Sequence, residues 1–522
     1  MLNLIPYPRS LTEKTGTFSV PEQLGTTIEG FEDGCVAAYR ERTGRESGGA
    51  VWLQIRRDAA LPAEAYRLEI RPNAVEICAS EERGVIWALA SMVQLEQKGE
   101  LPCCVIEDKP RFAHRGVSLD CARHFFPAEE VEKVIEEISL TKLNVLHWHL
   151  SDDQGWRIES RRFPLLHETS GDYYTQKEIR RIVAFARLRG VEIIPEIDLP
   201  GHASAILAAY PQLSCRQVPV RLADSGGIYP VILCAGREST FAFLEELLDE
   251  IVPLFPGERF HIGGDEAPKT EWAACPHCRK RMDALGLSRL ENLQGYFSSR
   301  AAAILKKHGK RCVCWNETLC AETVPEDVQI QYWTLQHRQP MQQFVRRGGD
   351  WIYSDMFELY LDYPHAMTSL RKLYGTVPHL GKEELESKGH LLGMEACLWA
   401  EHIREAPRME ELLFPRVHAL AEICWSEQRD YSSFLSRLDA FCVSRRGCGV
   451  RYTPKDAWDP KGRKRRREAV GYFTAINSGM SAEVKEQTVA AAAPNKEFAQ
   501  SFVSKFFQPT DLLFLLPAMM KK

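Results

Sequence analysis

Long apolar runs are absent from this sequence. None of its 522 residues lies in a run of about 18 apolar residues, the length that a membrane-spanning helix needs. Residues 1–20 contain Pro6, Pro8, Arg9, Glu13 and Lys14 and lack the apolar core of a secretion signal. We therefore expect a cytoplasmic protein without a membrane span.

A strong net charge is absent as well. Lysine and arginine number 66 and aspartate and glutamate 71, so the formal net charge is only −5. A balance of this kind does not indicate nucleic acid or an anionic membrane as a partner. The basic run at residues 461–467 is typical of a linker or a surface tail, so we expect no nucleic-acid partner.

Paired cysteine motifs are scarce, although cysteine itself is not. The chain has 16 cysteines. Several, such as Cys121 and Cys397, lie in apolar stretches and are typical of small buried hydrophobic residues. Cys275-Pro-His-Cys278 is a C-x-x-C motif, but the sequence offers no well-spaced second pair or histidine to complete a zinc site. We therefore expect reduced thiols, no metal and no other cofactor.

A glycine-rich phosphate-binding turn is also missing. A doubly wound open sheet usually carries one after its first strand. Here the corresponding segment, Asp120-Cys-Ala-Arg-His, contains no glycine. From His114 onward predicted strands alternate with helices, which is typical of parallel βα units. Eight such units over about 320 residues favour a (β/α)8 barrel of the α/β class.

The predicted barrel elements can be given by residue number. The strands are 115–120, 144–149, 192–198, 259–263, 311–315, 329–333, 351–355 and 392–398. The clearest helices are 128–140, 176–189, 240–254, 289–308 and 408–425.

Residues 1–108 predict a small α+β domain in front of the barrel. Segments 51–56 and 66–71 alternate apolar and polar residues, which is typical of half-buried strands. Residues 75–78 predict another strand and 81–97 a helix, and residues 103–110 are interpreted as an exit linker. The predicted division is then 1–108 for the small domain, 109–452 for the catalytic barrel and 453–522 for a tail of uncertain structure.

Reactive side chains of a barrel enzyme are expected at the C-terminal ends of its strands. Polar and aromatic residues cluster at these ends here. In chain order they are Asp120, Arg123, His147, His149, Asp152, Asp153, Glu196, Asp198, His202, Asp265, Glu266, Trp315, Asn316, Glu317, Trp333, Asp355, Tyr360, Asp362, Trp399 and Glu401.

The stretch His261-Ile-Gly-Gly-Asp-Glu266 stands out among them. Two glycines allow a close approach of the backbone, because no Cβ is in the way. The adjacent carboxylates of Asp265 and Glu266 repel each other, so one should hold its proton near neutral pH. This is the setting of a general acid beside an ionised partner.

Tryptophans among carboxylates suit a sugar substrate. The C–H faces of a pyranose stack on indole, and Asp, Glu and Arg bind its hydroxyls. A retaining glycosidase usually places two carboxyls about 5 Å apart on opposite sides of the anomeric carbon, which adjacent residues do poorly. A substrate-assisted route removes this difficulty, because a 2-acetamido group supplies the nucleophilic oxygen. It predicts an N-acetylated sugar and a pocket for its methyl group, with Trp315, Trp333 and Trp399 as candidate walls.

Five motifs resemble those of the β-N-acetylhexosaminidases, family 20 of the glycoside hydrolases. They are Asp120-Cys-Ala-Arg-His-Phe-Phe-Pro127, His147-Trp-His-Leu-Ser-Asp-Asp-Gln-Gly-Trp156, Pro195-Glu-Ile-Asp-Leu-Pro-Gly-His202, His261-Ile-Gly-Gly-Asp-Glu266 and Glu395-Ala-Cys-Leu-Trp-Ala-Glu401. The likeness runs from about residue 4 to 452. It implies a small α+β domain before a (β/α)8 barrel. It also implies exo-acting removal of terminal β-linked GlcNAc or GalNAc from glycans or glycoconjugates by a retaining, oxazolinium mechanism, in a bacterial-like enzyme.

The resemblance also implies roles for individual residues. Glu266 resembles the general acid/base, and Asp265 the residue that orients the acetamido nitrogen and stabilises the oxazolinium ion. By the same resemblance, Arg123 is expected to bind O3 and O4, Glu401 to bind O4 and O6, and Asp362 to bind O6. Tyr360 resembles the donor to the acetamido carbonyl, and Trp315, Trp333 and Trp399 resemble the acetamido pocket and stacking floor. His202 and Asp152 resemble a pair that tunes the acid. Whether Asp152 or Asp153 pairs with His202 stays open.

Two other functions compete with this interpretation. His147-Trp-His149 is an H-x-H pattern that could bind a metal in an amidohydrolase, although stacking inside the barrel is equally possible. A sugar-binding protein without catalysis is the other alternative, against which the intact Asp265-Glu266 pair argues.

No Trp occurs between Asp362 and Leu391, so terminal sugars are favoured over long chitin-like chains. The choice between GlcNAc and GalNAc and the oligomeric state stay open.

Overall fold

The N-terminal region forms one mixed sheet of six strands. The computed structural model describes residues 2–324, 327–380 and 389–479. The six strands are β1 (Ser10–Ser19), β2 (Thr26–Glu29), β3 (Leu53–Arg57), β4 (Tyr66–Arg71), β5 (Ala74–Ala79) and β6 (Glu100–Asp108). Their order in the sheet is β1-β6-β4-β5-β3-β2. Helix Glu82–Leu95 packs on this sheet, and helix Ala37–Thr43 packs on that helix.

The interpretation of residues 103–110 as an exit linker is wrong. Most of this segment belongs to β6, which lies inside the sheet between β1 and β4. Cys104 pairs with Ile70 and Ile106 with Leu68, and all four side chains are buried. The alternation of buried Cys104, Ile106 and Asp108 is therefore that of a strand with one face in the core.

Eight parallel strands close into a barrel. They are β7 (His114–Asp120), β8 (Val145–His149), β11 (Glu192–Glu196), β12 (Arg259–His261), β13 (Arg311–Trp315), β14 (Gln329–Tyr332), β15 (Trp351–Tyr353) and β16 (Leu391–Leu398). A two-stranded hairpin of β9 (Ser151–Asp152) and β10 (Gly155–Trp156) follows β8. The closed order runs β11-β12-β13-β14-β15-β16-β7-β8, so all eight predicted barrel strands are confirmed to within a few residues.

Helices connect the barrel strands. In the described residues they are Ala128–Leu140, Leu165–Ser170, Gln176–Arg187, Ser204–Ala209, Glu238–Ile251, Thr270–Ala274, Pro276–Leu285, Leu290–Lys307, Arg338–Arg346, Met356–Leu359, Leu370–Tyr374, Ala406–Leu413, Arg416–Trp425 and Tyr431–Ser444. Short 3₁₀ turns lie at Asp33–Val36, Pro211–Leu213, Val252–Leu254, Asn316–Cys320, Leu335–His337 and Lys455–Ala457.

The predicted single helix at 408–425 is wrong in one respect. The structure has two helices there, Ala406–Leu413 and Arg416–Trp425, with Phe414 extended between them. Pro415 explains the break, because proline has no N–H to donate and disfavours helical backbone in the residue before it.

Buried ion pairs join the sheet to the bottom of the barrel. Arg115 of β7 places its Nη2 2.5 Å from Glu64 Oε2, and Lys142 places its Nζ 3.0 Å from Asp108 Oδ2. The Trp425 ring contacts both cations, with its centre 5.0 Å from Arg115 Cζ and 4.6 Å from Lys142 Nζ, and it packs in the core of the N-terminal sheet. Because buried charges are costly unless paired, these contacts fix how the sheet sits on the barrel.

A helix at Gly462–Gly479 follows the barrel and covers part of its rim. Ala469 is fully buried, in a cluster with Trp315, Met356 and Tyr360. Part of the predicted tail, residues 480–522, lies outside the described residues. Within the described part of the chain, the helices are all too short or too polar to cross a bilayer.

Candidate active site

The Gly263-Gly264 turn after β12 brings two other loops close to the backbone. Both glycines have positive φ, +65° and +98°. A Cβ on Gly263 would lie 1.8 Å from Asp198 Oδ1, and one on Gly264 would lie 2.3 Å from Thr318 Oγ1. The close approach predicted for the two glycines is therefore present, and only glycine fits at either position.

Asp265 follows this turn and carries a carboxyl oxygen that is not satisfied. Its Oδ1 is buried and accepts no hydrogen bond from any described residue. Burial raises the pKa of Asp265 to about 6, the charge of His202 lowers it, and the charge of Glu266 raises it further. A buried acceptor without a donor is uncommon in folded proteins, so this oxygen is positioned for a ligand donor.

Glu266 is held in an unusual backbone conformation beside a histidine. Its φ is +46°, and its N–H donates to Glu317 Oε2 at 2.9 Å. Its Oε2 lies 3.4 Å from His202 Nε2, and the side chain is 31% exposed. A non-glycine residue at positive φ is strained, and such strain is concentrated at functional sites.

His202 connects Glu266 to two aspartates behind it. Its Nδ1 lies 3.2 Å from Asp152 Oδ1 and 3.4 Å from Asp153 Oδ2. Asp153 is occupied by Ser204, whose N–H and hydroxyl both donate to Asp153 Oδ1. Burial lowers the pKa of His202, but the charge of Asp152 and hydrogen bonds outweigh this and raise it well above its usual value. Asp152 is thus the nearer partner of His202.

Arg123 sits at the centre of a charged cluster on the same rim. Its Nη1 lies 3.1 Å from Asp120 Oδ2, its Nη2 3.0 Å from Asp152 Oδ2 and its Nε 3.8 Å from Glu401 Oε1. The guanidinium also lies over the Trp399 ring, 5.1 Å from its centre. Three carboxylates and a ring face therefore fix its position.

Four aromatic rings form a continuous group, which we call the aromatic cage: Trp315, Trp333, Tyr360 and Trp399. The ring centres of Trp315 and Trp399 are 5.8 Å apart, those of Trp399 and Tyr360 6.0 Å, and those of Tyr360 and Trp333 6.3 Å with nearly parallel planes. Trp315 Nε1 donates to Glu196 Oε1 at 2.9 Å, which fixes the ring at the mouth of the barrel. The three predicted pocket tryptophans thus meet, together with Tyr360.

Glu401 and Asp362 lie close enough for their charges to interact. Glu401 Oε1 accepts the N–H of Gly227 at 3.2 Å, from the long loop after β11. Asp362 Oδ1 is buried and without a hydrogen-bond donor among the described residues. Burial raises the pKa of Asp362 to about 7, a backbone hydrogen bond lowers it, and the charge of Glu401 raises it again.

Two site residues received no role from the sequence. Glu317 holds the Glu266 backbone, and burial followed by the charges of Glu266 and Asp265 raises its pKa to about 8. Glu317 follows β13, but nothing in its motif indicates this contact. Tyr472 of helix Gly462–Gly479 hydrogen-bonds Asp362, and its ring lies 5.8 Å from that of Tyr363. No sequence signal connected that helix to the site.

The two histidines of the H-x-H pattern are enclosed by carboxylates. His147 Nδ1 lies 2.8 Å from Glu395 Oε1 and its Nε2 3.2 Å from Glu196 Oε2. His149 lies between Glu196 Oε2, at 2.5 Å, and Asp152 Oδ2, at 2.9 Å. Burial lowers the pKa of His147, but the charges of Glu395 and Glu196 outweigh it and raise the pKa to about 9. These rings are parts of a buried ionic network.

Two family models cover most of the described chain. "Glycosyl hydrolase family 20, catalytic domain" matches residues 112–428, and "Glycosyl hydrolase family 20, domain 2" matches residues 1–109. The chain belongs to glycosyl hydrolase family 20. It is therefore a glycosidase, and the predicted resemblance to the family 20 β-N-acetylhexosaminidases is confirmed.

Individual family 20 proteins resemble the chain over most of its length. A β-hexosaminidase of Porphyromonas gingivalis is 34% identical over 504 residues, which is 86% of this chain but only 64% of that protein. The structure of an exo-β-N-acetylglucosaminidase from Vibrio harveyi with N-acetylglucosamine has a TM-score of 0.78 at 30% identity, covering 87% of this chain and 78% of that one. The β-N-acetylhexosaminidase of Bacteroides fragilis has a TM-score of 0.79 at 28% identity, covering 86% and 97%.

Proposed function

We propose that this family 20 chain is an exo-acting β-N-acetylhexosaminidase that removes terminal β-linked GlcNAc or GalNAc from glycans or glycoconjugates. In this mechanism the substrate's own acetamido oxygen attacks the anomeric carbon, and configuration is retained. Glu266 protonates the leaving oxygen and later deprotonates water. Asp265 accepts the acetamido N–H and stabilises the positive oxazolinium ion.

The proposal rests on Asp265 Oδ1, which is buried and accepts no hydrogen bond from the described residues. An acceptor in that state costs about 1–3 kcal/mol unless a ligand donates to it. A secondary amide offers one N–H, which a plain glucoside lacks. An ionised Asp265 also places a negative charge where the amide becomes cationic, which is the usual way an enzyme stabilises a charged intermediate.

The aromatic cage supports an acetamido substrate. Tyr360 and Trp333 stack almost parallel, and the cage continues through Trp399 to Trp315, so a small methyl group would meet ring faces. Tyr360 is assigned as the residue that donates its hydroxyl to the acetamido carbonyl. Such a donor would polarise the amide and hold its oxygen near the anomeric carbon.

The acid role of Glu266 fits its partial exposure and its contact with His202. The carboxyl is reachable from outside, where a leaving group would depart. When Glu266 has given up its proton, the His202–Asp152 pair places positive charge near the Glu266 carboxylate. This pair is expected to ease proton transfer out of Glu266 and to orient its carboxyl.

A terminal sugar fits the polar groups that remain. Arg123 and Glu401 are assigned to O3, O4 and O6, and Asp362 to O6. The Gly227 N–H donates to Glu401, and Tyr472 hydrogen-bonds Asp362, so neighbouring segments hold both carboxyls in place. A chain that extended from O4 would meet them, so removal of single terminal residues is expected.

The proposal is tested with p-nitrophenyl β-glycosides of GlcNAc, GalNAc and glucose. We expect cleavage of the two acetamido sugars and no comparable cleavage of the glucoside, because glucose has no internal nucleophile. The ratio of the first two rates gives the GlcNAc-to-GalNAc preference. Cleavage of the glucoside at a similar rate would contradict the role of Asp265, since it would require a nucleophile from the protein.

Placement of the protein in the cytoplasm and the identity of the natural glycan remain predictions. A matched assay on a GlcNAc-terminated disaccharide and on a longer chitin oligomer addresses the second. We expect sequential release of single residues from the non-reducing end. Internal cuts in the oligomer would contradict an exo-acting site.

A further inference from the structure

Four cysteine sulfurs from the segments that follow β11 and β12 meet in a group that we call the cysteine cluster: Cys215, Cys234, Cys275 and Cys278. Their sulfur atoms all lie within 4.8 Å of one another. Individual distances are 3.8 Å for Cys215–Cys278, 3.9 Å for Cys234–Cys275 and 3.7 Å for Cys234–Cys278. The C-x-x-C motif therefore has the second pair that its sequence did not reveal.

These distances are those of ligands around one ion. Zinc binds thiolates at about 2.3 Å in a tetrahedron, whose edges are then about 3.8 Å long. A disulfide would instead bring two sulfurs to about 2.05 Å. A polynuclear iron–sulfur cluster would hold its cysteines farther apart, because inorganic sulfide and several irons lie between them. One four-coordinate ion fits the cluster best.

The surroundings resemble a closed structural site. Cys234, Cys275 and Cys278 are at most 4% exposed, and Cys215 is partly exposed. The Gly236 N–H hydrogen-bonds the Cys234 sulfur, as backbone amides commonly do for metal-bound thiolates. A Cβ on Gly236 would lie 2.2 Å from the His277 carbonyl carbon, so glycine allows the two cysteine-bearing segments to touch.

The backbone around the cluster is already fixed by other contacts. Cys234 N–H donates to Leu213 O at 2.9 Å, and Leu233 N–H donates to Pro200 O at 3.1 Å. Cys275 precedes helix Pro276–Leu285, and Cys278 lies in its first turn. The four sulfurs thus converge from two rigid segments, which favours a preformed site over a chance contact of side chains.

We propose that Cys215, Cys234, Cys275 and Cys278 bind one zinc ion with structural function. Four soft thiolates in a tetrahedral arrangement select zinc or iron among common metals, and a set with no open position serves structure rather than catalysis. Binding forms four zinc–sulfur bonds and releases the thiol protons, with no change in oxidation state.

The zinc ion would fasten two loops that both carry active-site residues. Cys215 and Cys234 lie in the loop after β11, which also contains Asp198, His202 and the Gly227 amide that holds Glu401. Cys275 and Cys278 follow the Asp265-Glu266 turn. The ion would therefore fix the positions of His202 and Glu266 relative to each other without contacting the substrate.

Metal analysis of the purified full-length protein tests the proposal directly. We expect about one zinc per chain and little iron by inductively coupled plasma mass spectrometry. Protein produced with cobalt in place of zinc should show the visible absorption of tetrahedral cobalt–thiolate coordination. Iron as the bound metal, two disulfides found by mass spectrometry, or four free thiols without metal would each overturn the zinc assignment.

Serine variants connect the metal to these residues. Cys234→Ser and Cys278→Ser should lose most of the bound zinc and lower the melting temperature. Cys312→Ser is the matched control, because Cys312 is also buried beside a second thiol, 3.7 Å from Cys314, but belongs to no group of three or more potential metal ligands among the described residues. Equal zinc content in all three variants would overturn the assignment. If the cluster variants fail to fold, the metal content and cobalt spectrum of the unmodified protein still decide it.

Discussion

Two groups of buried carboxyls in this barrel differ in one property, whether their oxygens have donors. In the barrel interior, Glu395 accepts from His114 Nε2 at 2.9 Å, from His147 Nδ1 at 2.8 Å and from Gln331 Nε2 at 2.7 Å. At the rim, Asp265 Oδ1 and Asp362 Oδ1 have no donor among the described residues. The interior group is a structural network and the rim group is positioned for a ligand.

Electrostatics separate the two groups in the same way. Burial raises the pKa of Glu395, but the charge of His147 and hydrogen bonds from His114 and His147 outweigh it and lower the pKa well below its usual value. At the rim, burial is the largest cause, and it raises the pKa to about 6 for Asp265 and to about 7 for Asp362. The same residue type thus serves structure when its charge is paired and chemistry when it is not.

The largest expected effect is at the acid. Glu266→Gln removes the proton donor, so hydrolysis of substrates with poor leaving groups should fall by about 10²–10⁴-fold. Activated aryl glycosides need less protonation and should lose much less. The measurement is kcat/KM over a series of aryl leaving groups and one natural disaccharide. Normal hydrolysis of the disaccharide by this variant would show that another residue is the acid.

The interior network should respond in stability and not in chemistry. Glu395→Gln removes the negative charge that pairs with His147 and the carboxylate that accepts from His114, and breaking a buried pair typically costs about 3–5 kcal/mol. Urea unfolding followed by fluorescence measures the loss, and the exposed Glu405→Gln is the matched control. A stability equal to that of the control would mean that the network does not support the barrel.

Asp265→Asn tests the unsatisfied rim carboxyl. The amide keeps the size of the side chain but removes the negative charge, so kcat should fall by about 10²–10³-fold, as when a stabilising group is removed from a charged intermediate. The fall in kcat should be the same for substrates with good and with poor leaving groups, in contrast to Glu266→Gln. The exposed Asp172→Asn serves as control. If Asp265→Asn lost activity only on substrates with poor leaving groups, Asp265 would be the acid and Glu266 the residue that stabilises the oxazolinium ion.

The pH dependence sharpens the comparison further. Asp265 must be ionised to stabilise the oxazolinium ion, and its pKa is raised to about 6. Its ionised fraction grows as pH rises, so kcat/KM should fall by about tenfold per pH unit below that value. The initial-rate profile on p-nitrophenyl-GlcNAc measures this limb. An acidic limb that persists unchanged in Asp265→Asn would have to come from another group.

Most of the fold could be predicted because local and long-range signals agree. The barrel strands are short apolar runs that end in polar residues, and β13 begins and ends as predicted. The N-terminal sheet is harder to predict from the sequence, because β6 continues directly toward the barrel and resembles a linker. Pro415 divides a helix whose apolar spacing continues across the break.

The site was predictable where one motif carries its chemistry. Asp265, Glu266 and the two glycines lie together in the sequence. The cysteine cluster was not predictable, because Cys215 and Cys278 are 63 positions apart and Cys234 and Cys275 are 41 apart. Only the path of the loop after β11 brings them together. The contacts of Glu317 and Tyr472 likewise depend on tertiary structure.

The central claim is that the substrate's acetamido oxygen is the nucleophile and that Asp265 orients it. Aryl β-glucosaminides whose N-acetyl group carries none, one, two or three fluorines test this claim most directly. Fluorine withdraws electrons from the amide oxygen, so kcat/KM should fall steadily as fluorines are added. A kcat/KM independent of fluorination would contradict the account and assign the nucleophile to the protein.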